Sequence, residues 1–297
     1  MSIVINTPNG TIGRAVSEAL LDAGEQLVVI SRSAARAAPL TARGATLVEG
    51  SIDDPKTLRD AFTGAQRLFW LTPPAGYRPD YHDWSVAAAR RAAAIAREAG
   101  VEHVVVLSSV GAHSGPGTGP VGCLLAVEDA FREAIPNVTV LRPGFFMENL
   151  FRDLATLRAM GKFFSPVGPD KSVPMIATAD IAAAAVAELR RPRAGHHVLG
   201  LHGPKDLTNA EIAALLGEAW GREVGFVQVG LEDARGAMLQ AGLPEFAADI
   251  FVEMYGAILD GRMDPAEPRT EQSTTQTPFS QFARDVLVPA LSTEASA

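Results

Sequence analysis

The residues best suited to chemistry stand near the start of the chain, in Val4-Ile5-Asn6-Thr7-Pro8-Asn9-Gly10-Thr11-Ile12-Gly13. An apolar run enters a turn, and a helical segment follows at once. Gly10 lets the backbone approach a pyrophosphate, and Gly13 lets the helix sit close to a sheet. The free amides and positive dipole end of that helix then receive phosphate charge. A strand-to-helix turn that binds nothing has the same outline. Its position at the head of a strand–helix series makes it a dinucleotide signal. The second apolar run ends Val29-Ile30-Ser31-Arg32-Ser33. NAD-preferring domains carry an acidic residue here to accept the ribose hydroxyls. Ser31 and Arg32 suit a 2′-phosphate instead, and Arg36 is a second cation one helical turn on. The expected cofactor is NADP(H).

The elements that must position these residues alternate regularly over the first half. Strands are predicted at Ser2–Asn6, Gln26–Ile30, Thr46–Glu49, Arg67–Leu71, His103–Leu107 and Val138–Leu141. Between them, helices are predicted at Ile12–Ala23, Ala34–Arg43, Pro55–Phe62, Asp80–Ala99 and Val121–Ile135. Val104-Val105-Val106-Leu107 is the continuous apolar run of a strand buried on both faces. The expected fold is α/β, a Rossmann-type doubly wound parallel sheet with a smaller C-terminal α/β lobe. Residues 1–150 form the NAD(P)-binding domain and residues 151–297 a substrate-binding lobe, with segments that can interleave. In the second half, helices are predicted at Thr178–Leu189, Thr208–Gly217, Glu245–Leu259 and Pro278–Val288, and strands near His197–Leu201 and Val224–Val229. Thr208 and Glu211 have capping-box spacing. Arg262 to Thr277 reads as an exposed loop, and Ser292–Ala297 as a frayed end.

Composition excludes several classes. The 297 residues carry 26 basic and 34 acidic side chains, a formal charge of −8, so no broad basic face attracts nucleic acid or anionic lipid. A single cysteine, Cys123, rules out an intramolecular disulfide and suits a reducing compartment. The N-terminal residues lack the regions of a signal peptide, and no apolar run reaches a membrane span. A cytoplasmic protein is expected, with no nucleic-acid or membrane partner. A homodimer is allowed, although no surface helix shows a decisive apolar stripe. His196 and His197 point to opposite faces of a strand and do not chelate one ion, so no metal is expected.

Further segments carry a family resemblance. They are Leu71-Thr72-Pro73-Pro74, Leu107-Ser108-Ser109-Val110-Gly111-Ala112 and Leu141-Arg142-Pro143-Gly144-Phe145-Phe146-Met147-Glu148-Asn149. Pro174-Met175-Ile176 with Asp180-Ile181-Ala182 follows, then Leu207-Thr208 with Glu211-Ile212-Ala213. With the Gly10 turn, the chain resembles the NmrA-like group of atypical short-chain dehydrogenases/reductases over nearly its whole length. That group includes quinone- and azo-reductase-like proteins and redox-sensing regulators. The resemblance implies that Thr7, Asn9, Gly10, Thr11 and Ile12 surround a pyrophosphate and that Arg32 holds the 2′-phosphate. It further implies that Ser51 and Ile52 flank the adenine and that Leu71, Thr72 and Pro73 lie along the ribose and diphosphate. Ser108, Ser109, Pro143, Gly144 and Phe145 would then sit near the nicotinamide. Two departures are minor: Thr7 replaces the usual first glycine, and Ser51 replaces a frequent acidic residue.

A third departure concerns catalysis. Conventional short-chain dehydrogenases use Tyr-x-x-x-Lys, in which the lysine lowers the tyrosine pKa for proton transfer. Aligning on Glu128 puts Pro120 and Leu124 at those two positions. The candidate proton donors are therefore Ser108, His113, Tyr81 and His82, with His113 on a Gly111–Gly119 loop that could act as a lid. Phe145, Phe146, Met147 and Asn149 are the candidate substrate contacts. The leading functional expectation is an NADPH-dependent oxidoreductase acting on a quinone-like, azo, imine or other conjugated aromatic substrate. A cofactor-sensing regulator acting through a protein partner stays open, as does an isomerase or cyclase that reuses the NADP site.

Overall fold

The computed structural model describes residues 2–73 and 78–293. Pro74 of the Leu71-Thr72-Pro73-Pro74 segment and residues 294–297 of the expected frayed end lie outside the described residues. In chain order the first half comprises β1 (Ser2–Ile5), α1 (Thr11–Asp22), β2 (Gln26–Ser31), α2 (Ala34–Thr41), β3 (Thr46–Glu49) and α3 (Pro55–Phe62). These are followed by β4 (Ala65–Leu71), α4 (Tyr81–Glu98), β5 (His103–Leu107), α5 (Leu124–Ala134) and β6 (Asn137–Pro143). Every strand predicted there is present, with ends displaced by a residue or two. The α5 helix starts later than expected: Gly119–Val121 forms a 3-10 turn, and only then does the α-helix begin.

The main sheet has seven strands in the order β10-β6-β5-β4-β1-β2-β3, all paired in parallel, where β10 is His196–Leu201. Its two faces explain the apolar run in β5. Val104 and Val106 pack with Phe62, Ala92 and Phe131 of α3, α4 and α5, whereas Val105 and Leu107 pack with Val16, Leu20 and Ile181 of α1 and α7 (Thr178–Arg190). Helices cover both sides, the condition for a parallel sheet. The second half contributes to both bodies, because α7 and β10 belong to the main sheet although both follow residue 150.

The remaining segments build a smaller body. Phe145–Phe146 (β7), Lys162–Ser165 (β8) and Val173–Ile176 (β9) alternate with the short helix α6 (Leu154–Met160). Asp206–Leu207 (β11), α8 (Asn209–Trp220) and β12 (Gly225–Gln228) follow. One small sheet has the order β11-β9-β7, and β12 pairs with β8 in another. Its core gathers Met147, Leu157, Phe163, Leu216, Phe279 and Phe282. The Thr208–Glu211 capping box at the start of α8 is formed in both directions. The predicted final helix is broken into Phe279–Phe282, a π-turn over Ala283–Leu287 and a last helical turn at Val288–Ser292.

Arg262 to Thr277 forms the expected, mostly exposed loop, with Met263 and Ser273 buried and Glu267 reaching the main sheet as its anchors. The Glu267 carboxylate accepts from Arg142 Nη1 at 2.6 Å, so a buried cation anchors the segment.

The amino-terminal edge of the sheet holds a pH-dependent element. His103 is 1 % exposed, with its Nε2 3.2 Å from Thr139 Oγ1 and its Nδ1 without a partner. Burial, with Arg67 and His197 nearby, pushes its pKa down to about 4. The folded protein thus refuses a proton that the unfolded chain accepts. This contribution to stability is full above about 6.5 and is lost as pH falls toward about 4, amounting to about 3 kcal/mol. Unfolding free energies of wild type and His103→Asn across this range should converge as pH falls. A constant difference between them would contradict this placement.

Candidate active site

The sheet order reverses between β1 and β4, the point at which an open α/β sheet leaves a crevice at its carboxyl edge. Asn6 fixes that edge. Its Nδ2 donates to Leu71 O and its Oδ1 accepts from Leu71 N, both at 2.9 Å. The side chain thus continues the ladder between strands that have begun to splay. Above it opens a cleft of about 1000 Å³, at the upper end of the range for small-molecule sites.

The first wall is the turn into α1. No side chain caps the start of this helix, so its first amides are left without a side-chain partner where Gly10 to Gly13 line the cleft. A Cβ on Gly13 would stand 1.9 Å from Thr7 O and 2.8 Å from Thr7 C, so only glycine allows α1 to pack against the turn. A Cβ on Gly10 would meet nothing closer than Thr7 O at 3.9 Å. Asn9 ties the turn to β2 by donating from Nδ2 to Ser31 Oγ at 2.7 Å, and Ser31 Oγ donates to Ser33 O at 3.0 Å. Arg32 and Arg36 line the cleft beyond Ser31, are exposed, and make no ion pair among the described residues.

Ser51 and Ile52 follow β3, Leu71 ends β4, and Thr72 and Pro73 follow it; all five line the cleft. Sequence reasoning missed the residues beside them. Asp53, two positions after Ser51, accepts from Trp84 Nε1 at 2.6 Å, and the Arg78 guanidinium lies 5.0 Å from the Trp84 ring centroid. An acidic group near the expected adenine position is therefore present, but it is joined to an indole from α4. Three cleft residues hold buried polar atoms without a partner: Thr7 Oγ1, Asn9 Oδ1 and Thr72 Oγ1. Such atoms are costly to leave unsatisfied. Together with the uncapped helix start and two free guanidinium groups, they fit a phosphorylated dinucleotide laid along the turn.

The other end of the cleft is floored by Leu107, Ser108, Pro120, Val121 and Leu124. Pro120 and Leu124, which replace the usual tyrosine and lysine, thus do line the site. Ser108 Oγ donates to Glu128 Oε1 at 2.5 Å. Glu128 is wholly buried and also accepts from Arg142 Nε at 2.9 Å, Arg142 Nη2 at 2.6 Å and Arg132 Nη2 at 2.9 Å. Burial works against the Arg142 charge, but Glu128 and Glu267 outweigh it and hold its pKa above the ordinary value. Tyr81 lines the cleft and is 8 % exposed; burial pushes its phenol pKa up, so the group is a neutral donor and not a base.

The structure does not bring His113 to the cleft. It lies exposed on the 3-10 turn Ala112–Ser114, held aside because Ser114 Oγ donates to Arg262 O at 2.7 Å. The Gly111–Gly119 loop is pinned as well. Arg262 Nη1 donates to Gly117 O at 2.6 Å, and Gly119 N donates to Glu253 Oε2 at 3.1 Å. The loop is therefore part of the packed scaffold and not a free lid. His82 is occupied too, its Nε2 3.0 Å from Gly119 O.

Of the expected nicotinamide and substrate contacts, Ser108, Phe146 and Asn149 line the cleft, and Ser109, Pro143, Gly144, Phe145 and Met147 do not. Ser109 leads into the 3-10 turn, its carbonyl accepting from Ala112 N at 3.2 Å. Pro143 ends β6 with its carbonyl bonded to Val110 N at 2.8 Å, and a Cβ on Gly144 would meet Pro174 O at 2.4 Å. Phe145 pairs with Met175, and Met147 is 1 % exposed in the core of the smaller body. Alternation along a short strand sends Phe146 to the cleft and turns Phe145 away. The smaller body also supplies Glu148 and Arg152, and the start of α7 supplies Thr178; sequence reasoning singled out none of the three.

Among the described residues no cluster of three or more His, Cys, Asp or Glu side chains could hold a metal ion, and no helix is long and apolar enough to cross a membrane.

A parallel sheet of this order, with a glycine turn and an uncapped helix start at its switch point, is the doubly wound architecture that binds nucleotides. The NmrA-like family model matches residues 1–276, and the chain belongs to that family. It is 34% identical over 288 residues to the NAD(P)H azoreductase of Xenophilus azovorans, covering 95% of this chain and 96% of that one. It is 27% identical over 271 residues to quinone oxidoreductase 2 of Escherichia coli (strain K12), covering 89% and 91%. Among solved structures, the Citrobacter sp. triphenylmethane reductase complexed with NADP(H) has a TM-score of 0.83 at 24% identity, over 96% of this chain and 99% of that one. At that identity the likeness speaks for the fold.

Proposed function

We propose that the protein is an NADPH-dependent oxidoreductase that reduces a flat conjugated acceptor: a quinone, an azo compound or an imine. One observation carries the reading. A single cleft joins a phosphate-receiving end, with Arg32 and Arg36 beside it, to an apolar end made by Val121, Leu124 and Phe146. The names of the azoreductase and quinone oxidoreductase relatives support the same reaction class.

NADPH, when bound, supplies the hydride. Solvent supplies the accompanying proton, and the chain supplies position, which suffices for an electron-poor conjugated acceptor. Val121, Leu124 and Phe146 seat the acceptor against the nicotinamide end. Tyr81 donates a hydrogen bond from its neutral phenol to an acceptor heteroatom. Ser108, bonded to Glu128, offers its oxygen to a donor group of the cofactor or substrate. Asn149 borders the acceptor from the smaller body, residues 151–297 forming most of the substrate lobe. The reaction needs no tyrosinate, which agrees with Pro120 and Leu124 at the conventional positions.

The test is NADPH oxidation against a panel of quinones, azo dyes and imines, run with NADH and with Arg32→Ala in parallel. At least one acceptor class should be reduced. Losing a charge-assisted phosphate contact should lower the preference for NADPH over NADH by about 10- to 100-fold. Tight NADPH binding with no acceptor reduced would replace the reductase by a cofactor-sensing regulator. Product formed without net NADPH consumption would replace it by an isomerase.

A further inference from the structure

Among the described residues, four arginines line the cleft: Arg32, Arg36, Arg78 and Arg152. The first two follow β2 and face the adenosine end. Arg78 is paired with Asp80 at 2.8 Å. Arg152 comes from the opposite wall, in the 3-10 segment Met147–Asp153, and no ion pair to a described residue engages it. Its Nη2 donates to Asn149 Oδ1 at 3.3 Å, and its guanidinium stands 5.6 Å from the Phe251 ring centroid. Glu148, the carboxylate on the same wall, is already committed. Its oxygens accept from Thr178 N at 3.0 and 3.1 Å and from the Thr178 hydroxyl. The result is an exposed guanidinium lining the cleft, steadied by an amide and an aromatic ring.

A guanidinium presents a planar fork of donors that matches a carboxylate, sulfonate or phosphate better than any neutral group. Near an apolar surface such a contact is screened less than in open water. We propose that Arg152 recognises an anionic substituent on the acceptor, so that the substrates include conjugated aromatic compounds bearing a carboxylate, sulfonate or phosphate. The inference rests on the reductase reading for the word acceptor. The same oxyanion chemistry exists in the diphosphate of the cofactor, and the test separates the two sources.

The experiment compares 1,4-naphthoquinone with 1,4-naphthoquinone-2-sulfonate in wild type, Arg152→Ala and Arg152→Lys, using the intact chain and saturating NADPH. The ratio of kcat/KM for the sulfonate to that for the parent quinone should fall by about 10-fold or more in Arg152→Ala, the loss of one charge-assisted contact. Arg152→Lys should restore part of it. A ratio that stays within about twofold of wild type overturns the proposal. So does a rise of about 10-fold or more in the Kd for NADPH, which would assign the guanidinium to the cofactor phosphates. If wild type reduces no acceptor at all, the reductase reading fails by itself. Calorimetric binding of 2-naphthalenesulfonate to the NADP-loaded protein then decides the case: binding weakened about 10-fold by Arg152→Ala supports the anion site, and equal binding overturns it.

Discussion

Gly13→Ala should destabilise the protein by about 3 kcal/mol and weaken NADPH binding on the order of 100-fold. The added Cβ would lie 1.9 Å from Thr7 O, and the obstacle is backbone with no flexible tip to swing aside. Relief requires α1 or the turn to move, and either motion displaces the amides at the start of α1, which receive the pyrophosphate in the proposed function. Gly10→Ala provides the contrast. Its Cβ has Thr7 O at 3.9 Å as its nearest neighbour, so the fold tolerates it. Any affinity that it loses reports on the approach of the ligand and not on packing. Chemical denaturation and NADPH titration of both variants separate the two effects. A Gly13→Ala protein with wild-type stability and affinity would refute the packing of the turn described above.

The second large effect concerns Glu128. This carboxylate is wholly buried and faces Arg142, Arg132 and the Ser108 hydroxyl. Removing one partner of a buried pair leaves an uncompensated charge, so Glu128→Ala should cost about 3–5 kcal/mol. Glu267→Ala should cost less, because that side chain is 18% exposed and water can replace it. Both are read from urea midpoints at constant slope. The variants also differ at the site: Glu128→Ala frees the Ser108 hydroxyl at the cleft floor, and Glu267→Ala leaves it held. Equal costs would show that the network is more hydrated than its burial implies.

Much of this organisation is legible in the sequence. Strands buried on both faces must be apolar runs, and a left-handed glycine follows each of α1 to α4, so β1 to β6 can be read along the chain. The family resemblance points to Thr7, Asn9, Arg32, Ser51, Thr72 and Ser108, and these positions lie at strand ends, where the ligand crevice of such a sheet opens. The Thr208–Glu211 box is local and equally readable. Other features are not local. Glu128, Arg142 and Glu267 meet across 14 and 125 residues of chain, and no spacing announces that. Asn6 has the outline of an ordinary strand end, yet its amide bridges β1 and β4. The strands Lys162–Ser165 and Phe145–Phe146 are too short to show a period, and helix Leu231–Gln240 buries no residue, so it has no apolar face to read. The far wall of the cleft, with Glu148 and Arg152, depends on how the smaller body packs on the sheet. His113 shows the converse error. A titratable residue placed just after a strand looks catalytic until its loop is seen pinned by Arg262.

If the cleft above Asn6 and Gly13 holds NADP(H) with the 2′-phosphate on Arg32 and Arg36, the wild-type protein discriminates between the two nicotinamide cofactors. Equilibrium titration of the wild-type protein with NADPH and NADH, followed by cofactor fluorescence, tests it most directly. NADPH should bind saturably at 1:1, about tenfold or more tighter than NADH. Absence of saturable binding, or equal affinity for the two, would contradict it.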